Sequence, residues 1–313
     1  MPVPTMAEHG PIGAGATSAV AFGGGGEWFI AWMVGYAQGL LQEGVDLAKA
    51  DVTIGTSAGA IVGAAIKGGR LDALARALQQ LGADPAMADK DLNITTGAAS
   101  QARARAVMGQ TASITPATLQ EIGRAAMAAH NAPDDKYIDS VAGLIGLDSW
   151  PHGHHTTATD CYTGESVIVS SNCGISIAQA AAASSSLPGV NGPTWLGDRL
   201  CMDGGVSDSS THGRMLTGAK SVLIIGMFDF QAHPPQHVNP SFGIAERVDP
   251  GTAEREAAAL RASGSTVHVT IANPDPTTDF MNAATIGPAL ADGVARGKAD
   301  APAIGPLLGA AGS

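Results

Sequence analysis

The stretch that most constrains this chain is Asp51 to Ile66, DVTIGTSAGAIVGAAI. Val52 and Ile54 suit a short buried strand, and the small apolar run from Ala58 to Ile66 suits a buried helix. Between them stands Gly55-Thr56-Ser57-Ala58-Gly59, a G-x-S-x-G elbow. A serine oxygen clears its own backbone only on a sharp turn. Gly55 and Gly59 remove the side chains that would clash across such a turn. The helix that follows points backbone N–H groups, and the positive end of its dipole, at whatever Ser57 faces. Ser57 is therefore the candidate nucleophile and the Ala58 N–H a candidate donor to an oxyanion.

Upstream, Ser18 to Phe22 reads as a strand running into Gly23-Gly24-Gly25-Gly26, and a helix follows from about Glu27 to Glu43. The chain thus opens β–α–β–α, the start of a parallel α/β sheet. The glycine run has two readings. It is a flexible strand-to-helix connection, or its bare N–H groups at Gly24, Gly25 and Gly26 form an oxyanion hole beside Ser57. A dinucleotide loop fits poorly, because G-x-G-x-x-G would require glycine where Trp28 or Phe29 stands.

Residues 69–150 change character. They are alanine-rich and helical in period, with breaks at Pro85, Asn93 to Gly97 and Pro133. Helices are expected over Leu71–Leu81, Thr115–His130 and Asp135–Leu147. The segment reads as a helical insertion over the sheet, either scaffold or a lid. Pro151-His152-Gly153-His154-His155 lacks a cysteine or carboxylate at ligand spacing and reads as a loop entering a strand, so no metal site is expected.

Strands are expected at Thr156–Asp160 and Ser166–Ser170; Asp160 is a candidate catalytic acid, but its place beside the turn between them favours a cap on backbone N–H groups. A helix over Ile175–Ala183 ends before Pro188. Two short strands around Gly197-Asp198 lead to Asp203-Gly204-Gly205, which is either an ordinary turn or a carboxylate cradled by backbone at a strand end. Ser221–Met227 and Thr266–Ile271 read as strands and Thr252–Ser263 as a helix. A closing helix is expected from Asp279 to Lys298, broken near Gly287-Pro288, with a loose tail over residues 299–313.

The formal net charge of −11 argues against nucleic acid and against electrostatic adsorption to anionic membranes. Three cysteines, Cys161, Cys173 and Cys201, do not suggest a disulfide framework. No apolar run is long enough to span a bilayer, and Met1 to Gly10 lacks the basic and apolar regions of a secretory signal. The expected organisation is a loose leader over residues 1–16 and a single domain over residues 17–298, in the cytoplasm.

Four blocks, in order, resemble the patatin-like phospholipase family: Gly23–Gly26, Gly55–Gly59, Ala181 to Pro188 with Pro193 beyond, and Asp203-Gly204-Gly205. Thr159 to Val167 matches as well. The resemblance implies a central mostly parallel sheet sandwiched by helices. It also implies hydrolysis of lipid acyl esters by a Ser–Asp dyad, with no catalytic histidine and no cofactor. Carried over, Ser57 is the nucleophile and Asp203 the base. Gly24, Gly25, Gly26 and Ala58 hold the oxyanion, while Gly55, Gly59, Gly204 and Gly205 support the motifs. The implied partner is a lipid or small acyl ester, with at most peripheral membrane contact.

The chain departs from the family pattern in two places. Glu27 and Trp28 follow the glycines where a basic residue and another glycine are usual, so Glu27 is expected to point away from the oxyanion. VSDSSTH over Val206–His212 replaces an Asn and a Pro, which makes Asp208 an alternative base. Two rival readings stand beside the dyad. One is a Ser–His–Asp esterase using His212, and the other is a non-catalytic lipid-binding or regulatory protein on the same fold.

Overall fold

Two apolar runs, each closed by glycine and each feeding a helix, form the centre of the sheet. The computed structural model describes residues 10–83, 97–110, 113–228, 237–239, 244–246, 251–275 and 277–309. Residues 1–9 of the expected leader over residues 1–16, and the breaks at Pro85 and over Asn93–Gly97 up to Thr96, lie outside them; residues 10–16 are packed, with the Ile12 N–H given to the Met215 carbonyl at 2.8 Å and Ala16 buried. β1 (Ser18–Phe22) enters α1 (Gly26–Gln42), and β2 (Val52–Gly55) enters α2 (Ala58–Lys67). The insertion follows as α3 (Leu71–Ala83), α4 (Ala99–Gln110), α5 (Pro116–Ala128) and α6 (Asp134–Ile145). Then come β3 (His154–Asp160), β4 (Ser166–Val169), α7 (Ile177–Ser184), β5 (Thr194–Leu196), β6 (Arg199–Asp203) and β7 (Ser221–Met227). β8 (His237–Asn239) and β9 (Ile244–Glu246) form a separate antiparallel pair. α8 (Thr252–Ala262), β10 (Thr266–Ala272) and α9 (Ile286–Leu307) follow.

The main sheet runs β10-β7-β1-β2-β3-β6-β5, with β4 also paired to β3. β10, β7, β1, β2 and β3 pair in parallel along this order, whereas β4, β5 and β6 join antiparallel. The central strands are buried on both faces, as parallel strands between helices must be. Val20, Phe22, Leu223 and Ile225 pack with α1, α2 and α9; Ala19, Ala21, Val222 and Ile224 pack with Ala253, Ala257 and Leu260 of α8. This is a mostly parallel sheet sandwiched by helices, with a helical insertion after α2.

α1 and α9 meet through glycine. A Cβ on Gly35 would lie 2.2 Å from the Leu290 carbonyl oxygen, and one on Gly39 would lie 2.3 Å from that of Val294. From the other side, Cβ atoms on Gly293 and Gly297 would lie 2.1 and 2.2 Å from the carbonyl oxygens of Trp32 and Tyr36. The two backbones therefore touch without intervening side chains. Trp32 Nε1 donates to Asp292 at 2.7 Å, which fixes the register of the pair.

Three elements differ from the sequence reading. α4 has no counterpart in it: its sequence carries almost no apolar face, and only Gln101 and Ala104 are buried. α9 begins at Ile286 rather than Asp279, because Asn282 caps a tight 3-10 turn over Ala283–Thr285 just before it. Pro288 then sits in the first turn of α9, where its missing N–H costs no helical bond. The helix also runs to Leu307, in place of a loose tail from Ala299; residues 310–313 lie outside the described residues. Pro302 and Pro306 lie on its exposed side while Ala301, Ile304 and Leu307 are buried. The carbonyls freed by proline thus face water, and the packed side holds the helix together.

Candidate active site

The register Phe22↔Gly55 between β1 and β2 brings the two glycine turns side by side at the carboxyl ends of these central strands. A Cβ on Gly24 would lie 3.2 Å from Ser57 Cβ, so the glycine loop lies directly against the candidate nucleophile. Ser57 has φ 52° and ψ −118°, a conformation an L-residue adopts only under constraint. The flanking glycines supply that constraint. A Cβ on Gly55 would meet the Gly59 carbonyl oxygen at 2.3 Å, and one on Gly59 would meet that of Phe22 at 2.1 Å.

Ser57 Oγ donates to Asp203 Oδ2 at 2.8 Å. Asp203 stands at the end of β6, and its Oδ1 accepts the Gly205 N–H at 2.7 Å. The carboxyl is buried, and that burial pushes its pKa up to about 7, against the opposing pull of the Gly205 and Ser57 hydrogen bonds. Thr159 Oγ1 holds the Asp203 carbonyl, and a Cβ on Gly204 would collide with Thr157 Oγ1 at 2.3 Å. The turn after Asp203 thus needs glycine for close packing against β3.

The Ala181–Pro188 block ties the two sides together. Ser184 Oγ accepts the Ser57 N–H at 2.8 Å, and the Ser186 carbonyl accepts the Asp203 N–H at 2.9 Å. Ser185 takes the phenol of Tyr137, from α6, through its Oγ at 3.0 Å. Burial raises the Tyr137 pKa, and the nearby charges of Asp203 and Glu27 raise it further. Glu27 is itself buried in the first turn of α1. Sequence reading finds the block that holds Ser184 but gives Ser184 no role, and it misses Tyr137. An isolated tyrosine in a polar helix carries no local signal of a site formed elsewhere in the chain.

Of the four expected oxyanion donors, Gly24 differs. Its N–H is given to the Ser210 carbonyl at 3.0 Å, because the loop after β6 runs alongside it. Among the described residues, the N–H groups of Gly25, Gly26 and Ala58 have no acceptor. Gly26 adopts φ 67°, which turns the chain into α1.

His212 and Asp208 are placed elsewhere. Asp208 is exposed and held by Arg214 at 2.7 and 2.9 Å; that bond holds its carboxyl below the usual range. His212 is buried, with Nδ1 3.0 Å from Thr56 Oγ1 and Nε2 3.1 Å from Ser207 Oγ. Both ring nitrogens are thus engaged away from Ser57 Oγ. Of the three neighbouring histidines, His154 is buried with Nδ1 2.8 Å from Thr53 Oγ1. No group of three metal-capable side chains occurs among the described residues. Asp160 caps its turn, its Oδ1 accepting the N–H groups of Tyr162 and Thr163. No helix among the described residues is long and apolar enough to cross a membrane.

A search of curated proteins found no match to this chain. Among solved structures, VipD from Legionella pneumophila aligns at 15% identity and a TM-score of 0.45, over 92% of this chain and 67% of VipD. ExoU, in its full-length complex with SpcU from the type III secretion system of Pseudomonas aeruginosa, aligns at 16% identity and a TM-score of 0.32. That alignment covers 91% of this chain and 53% of ExoU. The profile described as patatin-like phospholipase matches residues 20–212, more than half of the chain, from within β1 to past the Asp203 turn. The chain belongs to the patatin-like phospholipase family.

Proposed function

We propose that this protein is a lipid acyl hydrolase working through a Ser57–Asp203 dyad. The observation that carries the reading is the 2.8 Å hydrogen bond from Ser57 Oγ to a buried carboxylate whose pKa is lifted to about 7. An ordinary carboxylate, near 3.9, is too weak a base for an alcohol; one near neutrality is matched to the task. Ser57 Oγ attacks the ester carbonyl carbon as its proton passes to Asp203 Oδ2. The N–H groups of Gly25, Gly26 and Ala58 hold the oxyanion that forms. Collapse expels the alcohol, which takes the proton back from Asp203. Water then attacks the acyl–Ser57 ester with Asp203 again as base; the acid leaves and Ser57 recovers its proton.

The charge of −11 bears on the substrate. An acidic hydrolase gains no electrostatic pull toward anionic bilayers. Dispersed monomers, lysolipids and small esters are therefore the favoured substrates within the class. The test is a panel of p-nitrophenyl esters, lysophospholipids and phospholipid vesicles, assayed with wild type and Ser57→Ala. Turnover of none of them by wild type, together with no reaction at Ser57 with a fluorophosphonate, would leave the non-catalytic reading in its place.

A further inference from the structure

His212 lies in the loop that follows Asp203, and its surroundings are built. It adopts φ 50°, unusual for a side-chain-bearing residue, and its own N–H is held by Ser209 Oγ at 2.8 Å. One ring nitrogen faces Thr56, the residue before the nucleophile. The other faces Ser207, whose Oγ donates to the Gly204 carbonyl at 2.8 Å in the turn after Asp203. The ring therefore bridges the two segments that carry Ser57 and Asp203.

Counting protons assigns the tautomer. A hydroxyl has one proton to give. Thr157 Oγ1 donates to Thr56 Oγ1 at 2.9 Å, which leaves the Thr56 proton for His212 Nδ1. The Ser207 proton goes to Gly204, so Ser207 Oγ must accept from His212 Nε2–H. The ring is neutral, an acceptor toward the elbow and a donor toward the Asp203 turn. An imidazolium would put a second donor on Thr56 Oγ1 and take away the acceptor of the buried Thr56 proton.

We infer that His212 is a positioning residue, a neutral strut that sets the distance between the serine elbow and the carboxylate turn. The inference rests on the Ser57–Asp203 reading and adds to it a role for a histidine that neither gives nor takes a proton in the reaction. Phenylalanine fills the space of the ring but makes neither bond. Asparagine accepts the left-handed backbone and offers an oxygen near the Nδ1 position, so it keeps the Thr56 bond alone.

The experiment is a double-substitution cycle on the full chain, read as kcat and KM on a p-nitrophenyl ester. Thr56→Val, Ser207→Ala and the pair are measured with His212 and again with His212→Phe. Fluorophosphonate labelling of wild-type Ser57 comes first: its failure, with no ester turned over, sinks the hydrolase reading, and the imidazole spectrum described below then decides the strut alone. With labelling established, the two substitutions should be coupled by roughly threefold or more in kcat when His212 is present, and additive in the His212→Phe background. KM should move by less than about twofold. Relative to wild type, kcat should fall modestly in His212→Asn and further in His212→Phe, by roughly tenfold in all. Nitrogen-15 spectra of the wild-type imidazoles should show a neutral Nε2–H ring for His212 at pH 7. That measurement needs no variant to fold. Additive effects in the presence of His212, an Nδ1–H or charged ring, or a His212→Phe loss as deep as that of Ser57→Ala would each overturn the inference.

Discussion

Ser57 Oγ and Asp203 Oδ2 stand 2.8 Å apart although 146 residues separate them in the chain. Nothing local brings them together. β1 and β2 pair in parallel, β3 continues the sheet, and β6 returns antiparallel with Ala158 opposite Asp203. The contact is a product of strand order.

A fluorophosphonate is expected to label Ser57 and no other residue. Ser57→Ala should abolish labelling and lower ester turnover by roughly four to six orders of magnitude, as when other serine hydrolases lose their nucleophile. Peptide mapping of the adduct decides it; an adduct on Ser184 or Ser207 would mean that the nucleophile is misassigned.

Asp203 should govern both activity and stability against pH. The base must be unprotonated, so kcat/KM should rise with pH to a half-point near 7 and fall roughly tenfold per unit below it. The stability effect has the opposite sense. The folded pKa lies above the ordinary 3.8, so the folded protein holds this proton more tightly than the unfolded chain. The stability this contributes is fully present below 3.8 and is lost as pH rises through about 7, at no more than about 1.4 kcal/mol per unit. Asp203→Asn should therefore be nearly inactive, yet melt above wild type at pH 8 and close to it at pH 4. Equal melting temperatures at both values would refute the raised pKa.

The oxyanion donors can be separated one N–H at a time. Replacing Ala58 by lactic acid exchanges its N–H for an ester oxygen and leaves the side chain intact. This should cost about a hundredfold or more in kcat. Replacing Gly24 by glycolic acid removes an N–H already given to Ser210, and should cost less than about tenfold. Equal losses at the two positions would argue that Gly24 also serves the oxyanion.

The glycine seam between α1 and α9 should be intolerant of a single methyl group. Gly293→Ala places Cβ 2.1 Å from the Trp32 carbonyl oxygen and should cost about 1–3 kcal/mol by denaturant titration. Gly287 lies on the same helix with no described atom within 4 Å of a Cβ. Gly287→Ala should be neutral or stabilising by about 0.4–1 kcal/mol. A neutral Gly293→Ala would mean that the helices can part without cost.

Much of this arrangement is legible in the sequence because it is written in local chemistry. Strands ending in glycine, a serine between two glycines, and an aspartate before two more all signal their turns in a few residues. What escapes is non-local or lacks a pattern. α4 has no apolar stripe to read. The prolines of α9 look like breakers until one sees that they face water. Glycine alone does not reveal that Gly24 spends its N–H on Ser210, since only the folded loop supplies that carbonyl. Ser184 reaches the elbow, and Tyr137 reaches the neighbouring Ser185, from separate helices. His212 follows Ser57 and Asp203 in the order a triad would have, but order along a chain says nothing of which way an imidazole faces.

The α1–α9 seam has a consequence for the order in which this chain can be assembled. Trp28, two residues past the glycine loop, gives its N–H to the Phe280 carbonyl, and Trp32 binds an aspartate 260 residues later. A ribosome that has just released β1, α1 and β2 has produced the glycine loop and the serine, but not the helix that covers α1. Until that distant segment emerges and docks, the apolar side of α1 is bare and the loop has nothing to brace it. Contacts so far apart in sequence form late and slowly. The nascent chain thus carries its early motifs unbraced, and the candidate site is completed only by contacts with residues that emerge late.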